Sequence, residues 1–120
     1  MSEFHIGERF FAEGLILDLK GDVTKQAEDA LLQWRKWQQA LDGKRNLVLN
    51  FSDVPYINSA GIAALIRLID ACLKAGIDTY AFGLTSHYQK LFRVVGMTEF
   101  LMIYPDEYSL RKRFDDVALE

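Results

Sequence analysis

Ser59 is the residue whose type and position point most directly to chemistry. It stands in the run Asn58-Ser59-Ala60-Gly61, between an apolar strand pattern over 47–51 and a long helical pattern. A serine at a helix start can accept a hydrogen bond from an unpaired amide of the first turn, which stabilises the helix by roughly 0.5–2 kcal/mol. A helix N-terminus also suits a phosphoryl group, because free amides and the helix dipole favour negative charge there. The sequence predicts Ser59 as the N-cap and leaves a second role as a phosphorylation site open.

The helix after Ser59 is predicted from apolar residues spaced three and four apart, which lie on one stripe of a 3.6-residue helix. This stripe contains Ile62, Leu65, Ile66, Ile69, Cys72 and Leu73. The opposite face is predicted to be exposed and to carry Ala60, Ala63, Ala64, Arg67, Asp70, Ala71 and Lys74. Small side chains would let another protein approach closely, with Arg67 and Lys74 as anchors. Alanine is also the best helix former, so helix propensity explains the strip equally well.

Three blocks of the chain carry a family resemblance. LVLNFSDVPYINSAGIAALI resembles the signature of STAS domains, the anti-sigma factor antagonists of bacteria, in which a strand and a short loop lead to an Asp-Ser-Ser/Thr/Ala-Gly turn at a helix start. LILDLKGDVTKQAEDAL is similar to the family's second strand, glycine turn and first helix, and YQKLFRVVGMTEFLMIY to its third helix and last strand. The resemblance covers nearly the whole chain and implies that Ser59, two residues before Gly61, is the phosphoacceptor.

Two positions depart from the family pattern. Asn58 replaces the usual aspartate, and Thr24 stands where many members have an aspartate in the loop that opens the first helix. We expect Thr24 to cap that helix. If the second and third strands are parallel neighbours, both helix starts lie at the carboxyl edge of the sheet, where open α/β sheets tend to place their sites. Thr24, Asn58 and Ser59 are therefore predicted to lie near one another.

The order of patterned segments predicts an α/β fold. Strands are expected over 4–11, 15–20, 47–51, 79–82 and 100–104, and helices over 25–41 and 60–73. Two further helices are expected, one from a cap at Ser86 to Gly96 and one from Pro105-Asp106 to about Phe114. The first two strands are expected to form an antiparallel hairpin. The third strand is not one continuous apolar run, because its residues alternate in character between the two faces of the sheet. Helices should therefore cover mainly one face of the sheet. We predict a STAS-like single domain with a mixed, mostly parallel sheet and helices packed mainly on that face.

Composition narrows the class of protein. The 120 residues are 50% hydrophobic and 26% charged, a balance typical of a soluble globular domain. The stretch MSEFHIGERFF lacks a cationic segment followed by an apolar run, and no apolar stretch approaches the roughly 20 residues that span a bilayer. We therefore expect a cytoplasmic protein without direct membrane insertion. The net charge of −3 argues against nucleic acid as the main partner.

The sequence gives little support for catalysis, a metal or a cofactor. Asn58-Ser59-Ala60-Gly61 is not the Gly-x-Ser-x-Gly elbow of hydrolases, and the glycines are spread as turn residues rather than gathered in a phosphate loop. Cys72 is the single cysteine and falls on the apolar stripe, so it is interpreted as a small buried hydrophobe. We predict neither an enzyme nor a metal site.

The resemblance implies a protein that switches partners. An unmodified chain would bind an anti-sigma factor that is also a serine kinase, and a serine phosphatase would act on the phosphorylated form. The contact is expected to use Thr24, Asn58, Ser59 and Gly61. It is also expected to use the predicted exposed face of the helix after Ser59, which carries the alanines. The alternative is a constitutive subunit, because similar STAS domains serve as accessory proteins of lipid-exporting ABC transporters or as scaffold pieces in stress signalling. Whether the domain forms a homodimer stays open.

Overall fold

The computed structural model describes residues 3–118, and the described part contains five strands and five α-helices. The strands are β1 (His5–Phe11), β2 (Gly14–Lys20), β3 (Asn46–Asp53), β4 (Asp78–Phe82) and β5 (Leu101–Tyr104). The helices are α1 (Glu28–Leu31), α2 (Trp34–Leu41), α3 (Ser59–Lys74), α4 (Ser86–Val94) and α5 (Glu107–Ala118). Short 3₁₀ turns at Lys25–Ala27 and Met97–Glu99 precede α1 and β5.

The five strands form one mixed sheet in the order β1-β2-β3-β4-β5. β1 and β2 make the predicted antiparallel hairpin, whereas β2, β3, β4 and β5 run parallel to one another. Each strand after the hairpin is added beside the previous one, so the crossover segments lie on the same side of the sheet. The predicted α/β architecture, with its mostly parallel sheet, is confirmed.

Helices cover the two faces of the sheet unequally. The larger core contains Leu15, Leu17 and Leu19 of β2, together with buried residues of α1, α2, α3 and α4. The opposite face carries a smaller cluster of Ile16, Val48, Tyr80, Phe82 and Leu110, which α5 covers. Alternate side chains of one strand therefore enter different clusters, as the two-residue period of a strand requires. The expectation of helices mainly on one face is confirmed, with α5 on the other face.

The predicted first helix over 25–41 is interrupted. A 3₁₀ turn leads into α1, and α2 begins three residues after α1 ends. The Trp37 indole Nε1–H donates to the carbonyl oxygen of Leu31 at 2.8 Å, and that carbonyl would otherwise accept from the helix backbone. The buried Trp37 side chain thus stabilises the break. Asp42, at φ 50°, and Gly43 end α2 at the predicted place.

An ion-pair cluster joins α5 to the hairpin. Arg9 donates to Asp18 at 2.6 and 2.8 Å and to Glu107, the first residue of α5, at 2.8 and 2.9 Å. Asp18 also accepts from Asn50 Nδ2, and Glu107 accepts from Arg111 Nε, both at 2.8 Å. Hydrogen bonds from Arg9, and more weakly from Arg111, lower the pKa of Glu107 to about 2. Burial raises the pKa of Asp18, but the hydrogen bonds from Arg9 and Asn50 outweigh it and lower that pKa overall.

Candidate functional site

The first turn of α3 is capped by Asn58 and not by Ser59. Asn58 has an extended backbone, and its side-chain oxygen accepts a hydrogen bond from the Gly61 amide at 2.9 Å. Ser59 is the first residue of the helix, and its side chain is exposed. The prediction that Ser59 is the N-cap is therefore wrong by one residue. The cap uses the Asn58 side chain, so the helix does not need the Ser59 hydroxyl for this purpose.

The start of α4 repeats this arrangement. Thr85 is the N-cap and accepts from the Tyr88 amide at 3.3 Å, while Ser86 is the exposed first residue of the helix. The prediction of Ser86 as the cap is also wrong by one residue. Ser86 thus occupies the same kind of position in α4 that Ser59 occupies in α3, which makes it a matched comparison site.

Val23 joins the two loops that were predicted to meet at the carboxyl edge of the sheet. It forms a parallel bridge with Ile57, its amide donates to the Tyr56 carbonyl at 2.9 Å, and its carbonyl accepts from the Asn58 amide at 3.2 Å. Thr24 follows Val23 directly, so the loops carrying Thr24, Asn58 and Ser59 lie side by side as predicted. Thr24 holds the N-cap position of the 3₁₀ turn, but its side chain makes no capping hydrogen bond, so its predicted capping role is wrong.

Gly61 lets α3 approach this loop more closely than any other residue would. A Cβ atom at Gly61 would collide with the carbonyl oxygen of Val23 and would lie 2.7 Å from the carbonyl carbon. The glycine two residues after Ser59 is thus required by packing. Gly61 lets the start of α3 pack against the end of the loop that follows β2.

Tyr88 of α4 fixes the loop from the other side, and sequence reasoning missed this role. Its buried hydroxyl accepts a hydrogen bond from the Ile57 amide at 2.9 Å. The helical period places Tyr88 on an inward face, and a buried tyrosine usually finds a hydrogen-bond partner. The partner itself could not be identified, because it lies 31 positions away in the chain. Val23 and Tyr88 together hold the segment before Ser59 in one conformation.

The exposed face of α3 differs from the predicted alanine strip. Ala64 is fully buried, and Ala60, Ala63 and Ala71 are half-buried. Ile66 and Leu73, which were placed on the buried stripe, are 44% and 53% exposed. α3 is rotated from the predicted orientation because it packs against α1 as well as against the sheet. The solvent-facing arc of α3 contains Ser59, Ile66, Arg67, Asp70, Leu73 and Lys74.

The two predicted anchors on this arc are engaged in ion pairs. Arg67 Nη1 lies 3.2 Å from Glu28 Oε1 of α1, and Lys74 Nζ lies 2.9 Å from Asp70 Oδ2 one turn earlier in α3. Both lysine and arginine are more than half exposed, so water screens each pair and each contributes about 0–1 kcal/mol. A binding partner can therefore compete for either cation at small cost. Glu28 was not predicted to belong to this surface.

Other candidate chemistries find little support in the described residues. Cys72 is buried, and burial raises the pKa of its thiol to about 12, which confirms its interpretation as a small hydrophobe. Within residues 3–118, no group of three or more His, Cys, Asp or Glu side chains could hold a metal ion. None of the described helices has the length and apolar character that crossing a membrane requires.

Comparison with known proteins places this geometry in a family. The model of the STAS domain matches residues 8–110. A search of curated protein sequences finds no match. Among solved structures, the chain is similar to an anti-sigma factor antagonist from Mycobacterium paratuberculosis, at 16% identity and a TM-score of 0.69 with 92% of each chain covered.

Two further structures share the fold. One is the phosphorylated form of SpoIIAA, a cell fate determinant of Bacillus, at 15% identity and a TM-score of 0.62, covering 91% of this chain and 97% of that one. The other is the STAS domain of a SulP transporter from Vibrio cholerae, at 15% identity and a TM-score of 0.66, covering 93% of this chain and 89% of that one. The family match and the shared fold agree, and the chain belongs to the STAS domain family.

Proposed function

We propose that the chain is an anti-sigma factor antagonist whose partner is an anti-sigma factor with serine kinase activity. The unmodified chain binds this partner through the surface around Ser59 and thereby releases a sigma factor. The partner then phosphorylates Ser59 with its own Mg-ATP, and the complex dissociates. A serine phosphatase restores the binding form.

The observation that carries the proposal is the division of roles between Asn58 and Ser59. Asn58 caps α3, so the Ser59 hydroxyl is exposed and can be modified without loss of the cap. A phosphoryl group on the first residue of a helix lies near the positive end of the helix dipole. The neighbouring Asn58 has an uncharged amide side chain, whereas a carboxylate at that position would repel the added charge. The fold can therefore carry phosphoserine at position 59.

The contact surface of this proposal is a corrected one. It comprises the edge of the molecule where Thr24 and Ser59 lie, together with the solvent-facing arc of α3. Ala64 is no longer part of this surface, because it is buried. Phosphorylation would add about −1.5 to −2 charges at one end of this surface. A loss of about 2.7 kcal/mol in binding free energy corresponds to a roughly hundredfold weaker complex. A loss of that size would be sufficient to reverse binding.

The modification site is tested by incubating the chain with its cognate kinase and mapping the product by mass spectrometry. We expect phosphate on Ser59 in the wild-type chain and none on Ser59→Ala. Ser86→Ala is the matched control, because Ser86 is also an exposed first residue of a capped helix. The Ser86→Ala chain should be phosphorylated on Ser59 to the same extent as the wild-type chain. Phosphate remaining on Ser59→Ala would reject the assignment.

One alternative is a constitutive subunit of an ABC-type transporter or of a stress-signalling scaffold, and the SulP transporter domain is an example of this fold within a transporter. An ABC-type ATPase would then dock permanently on the arc of α3, and the side chain at position 59 would act by contact alone. Affinity capture with wild-type and Ser59→Asp chains separates the two functions. Capture of the same ATPase by both chains supports the alternative, whereas a kinase captured by the wild type alone supports the main proposal.

A further inference from the structure

A second concave site lies on the α5 face of the sheet, away from Ser59. It is a cavity of about 320 Å³ between the hairpin turn, strands β3 to β5 and the middle of α5. This volume lies within the range of about 300–1,000 Å³ that is typical of small-molecule sites. Its lining includes Glu13, Asn46, Tyr80, Tyr104, Arg113 and Phe114.

Three aromatic side chains and Met102 form the apolar part of the cavity wall. The rings of Tyr80 and Phe114 meet edge to face, with centroids 5.1 Å apart, and Tyr104 packs against the same cluster. Arg113 also lines the cavity, but its side chain is exposed, so water screens its charge. Aromatic faces attract organic cations through their negative quadrupole. The walls thus suit an apolar molecule that carries positive charge.

Glu13 supplies a carboxylate without a matching donor. Its Oε2 atom is buried and has no hydrogen-bond partner among residues 3–118. Burying a polar oxygen without a partner is unfavourable, and more so when the group is charged. Glu13 is one of the residues that line the cavity. A ligand with an N–H donor would supply a hydrogen-bond partner for its carboxylate.

The backbone of Glu13 is held in place by neighbouring residues. Asn46 Nδ2 donates to the Glu13 carbonyl at 2.9 Å, and Asn46 Oδ1 accepts from the Tyr80 hydroxyl at 3.0 Å. Gly14 follows, and a Cβ atom there would collide with the Asn46 carbonyl oxygen. The hairpin turn is therefore packed closely against β3. The Glu13 side chain is presented from a fixed turn at one end of the cavity.

From these features we infer that the cavity binds a small organic amine with an apolar body. Its ammonium group donates to Glu13, and its body lies between Tyr80, Tyr104 and Phe114. The site is separate from the partner switch, because it lies on the face of the sheet that α5 covers, whereas Ser59 begins α3 on the opposite face. Amine binding would give this chain a small-molecule input separate from phosphorylation.

The experiment titrates the full chain with 2-phenylethylamine, protonated at neutral pH, and follows backbone amides by NMR. Its neutral counterpart 2-phenylethanol has nearly the same shape and serves as the matched probe. We expect saturable shifts at Gly14, Asn46 and Tyr104 with the amine. The alcohol should bind at least about tenfold more weakly, because it lacks the charge-assisted hydrogen bond to Glu13.

Glu13→Gln should abolish the preference for the amine over the alcohol. Glu8→Gln, which removes the same charge elsewhere in the hairpin, should retain it. The inference is overturned by the absence of saturable shifts with the amine, by equal affinity for amine and alcohol, or by an unchanged preference in Glu13→Gln. The comparison of the two probes uses the unaltered chain, so it decides the matter even if Glu13→Gln fails to fold.

Discussion

Asn58 and Ser59 divide between them two tasks that one serine could perform at a helix start. The Asn58 side chain binds the Gly61 amide, and Ser59 keeps its hydroxyl at the surface. This division has a practical consequence for a switch. A residue that is both cap and phosphoacceptor would change the stability of its helix each time it is modified. Here the two functions can be tested separately by substitution.

Asn58→Ala should lower the free energy of unfolding by about 1 kcal/mol, because it removes the cap of α3. Ser59→Ala should change it by less than about 0.5 kcal/mol, the usual effect at an exposed site. Urea denaturation followed by circular dichroism measures both values. A larger loss from Ser59→Ala than from Asn58→Ala would contradict the assignment of the cap.

The sequence could predict the helix start but could not choose between these neighbours. Asparagine and serine are both favoured at N-caps, so residue type allows either assignment. The backbone decides: Asn58 is extended, with φ −104° and ψ −179°, and the helix begins one residue later. That conformation is imposed by the bridge between Val23 and Ile57, which joins segments distant in sequence.

α3 is the element on which packing overrode the apolar pattern. The apolar arc of this helix is wide, since Leu68 lies outside the stripe that Ile62, Leu65, Ile66 and Leu73 share. Several rotations of the helix would therefore bury a similar apolar area. The close approach of Gly61 to Val23 and the contact with α1 select one of them. The spacing of apolar residues alone predicts the helix well, but it does not determine which face of the helix is buried.

Gly61→Ala is expected to destabilise the chain by about 1–3 kcal/mol, because the added methyl group must push α3 away from the Val23 carbonyl. Gly7→Ala is the control, since a Cβ atom at Gly7 would lie at an ordinary distance of 3.8 Å from Asp18 Cβ. Thermal unfolding of the two variants makes the comparison. Equal melting temperatures for both variants would show that the close approach is not rigid.

The whole molecule depends on contacts between distant segments. α5 is tied to the hairpin by Arg9, which reaches Asp18 and Glu107, 98 positions away. The strand order could be predicted, because short right-handed crossovers place successive parallel strands side by side in the sheet. The Arg9 cluster and the cavity beside Glu13 were not, because each brings together side chains from segments that share no local pattern.

Acid should weaken this long-range connection. The pKa of Glu107 falls from its ordinary 4.5 to about 2 in the folded chain, and that of Asp18 is also lowered. Their contribution to stability is therefore present above the unfolded pKa values and is lost as the pH falls through about 4.5 towards about 2. Urea unfolding at a series of pH values should show this decline. Glu107→Gln should flatten it, and an unchanged slope would contradict the role of the cluster.

The central claim is that negative charge on Ser59 reverses the binding of a partner kinase. The most direct measurement is isothermal titration of that kinase, without ATP, into the unmodified chain and into the chain phosphorylated on Ser59. The account predicts a dissociation constant at least about a hundredfold larger for the phosphorylated chain, a difference of about 2.7 kcal/mol. Equal dissociation constants for the two forms would contradict it.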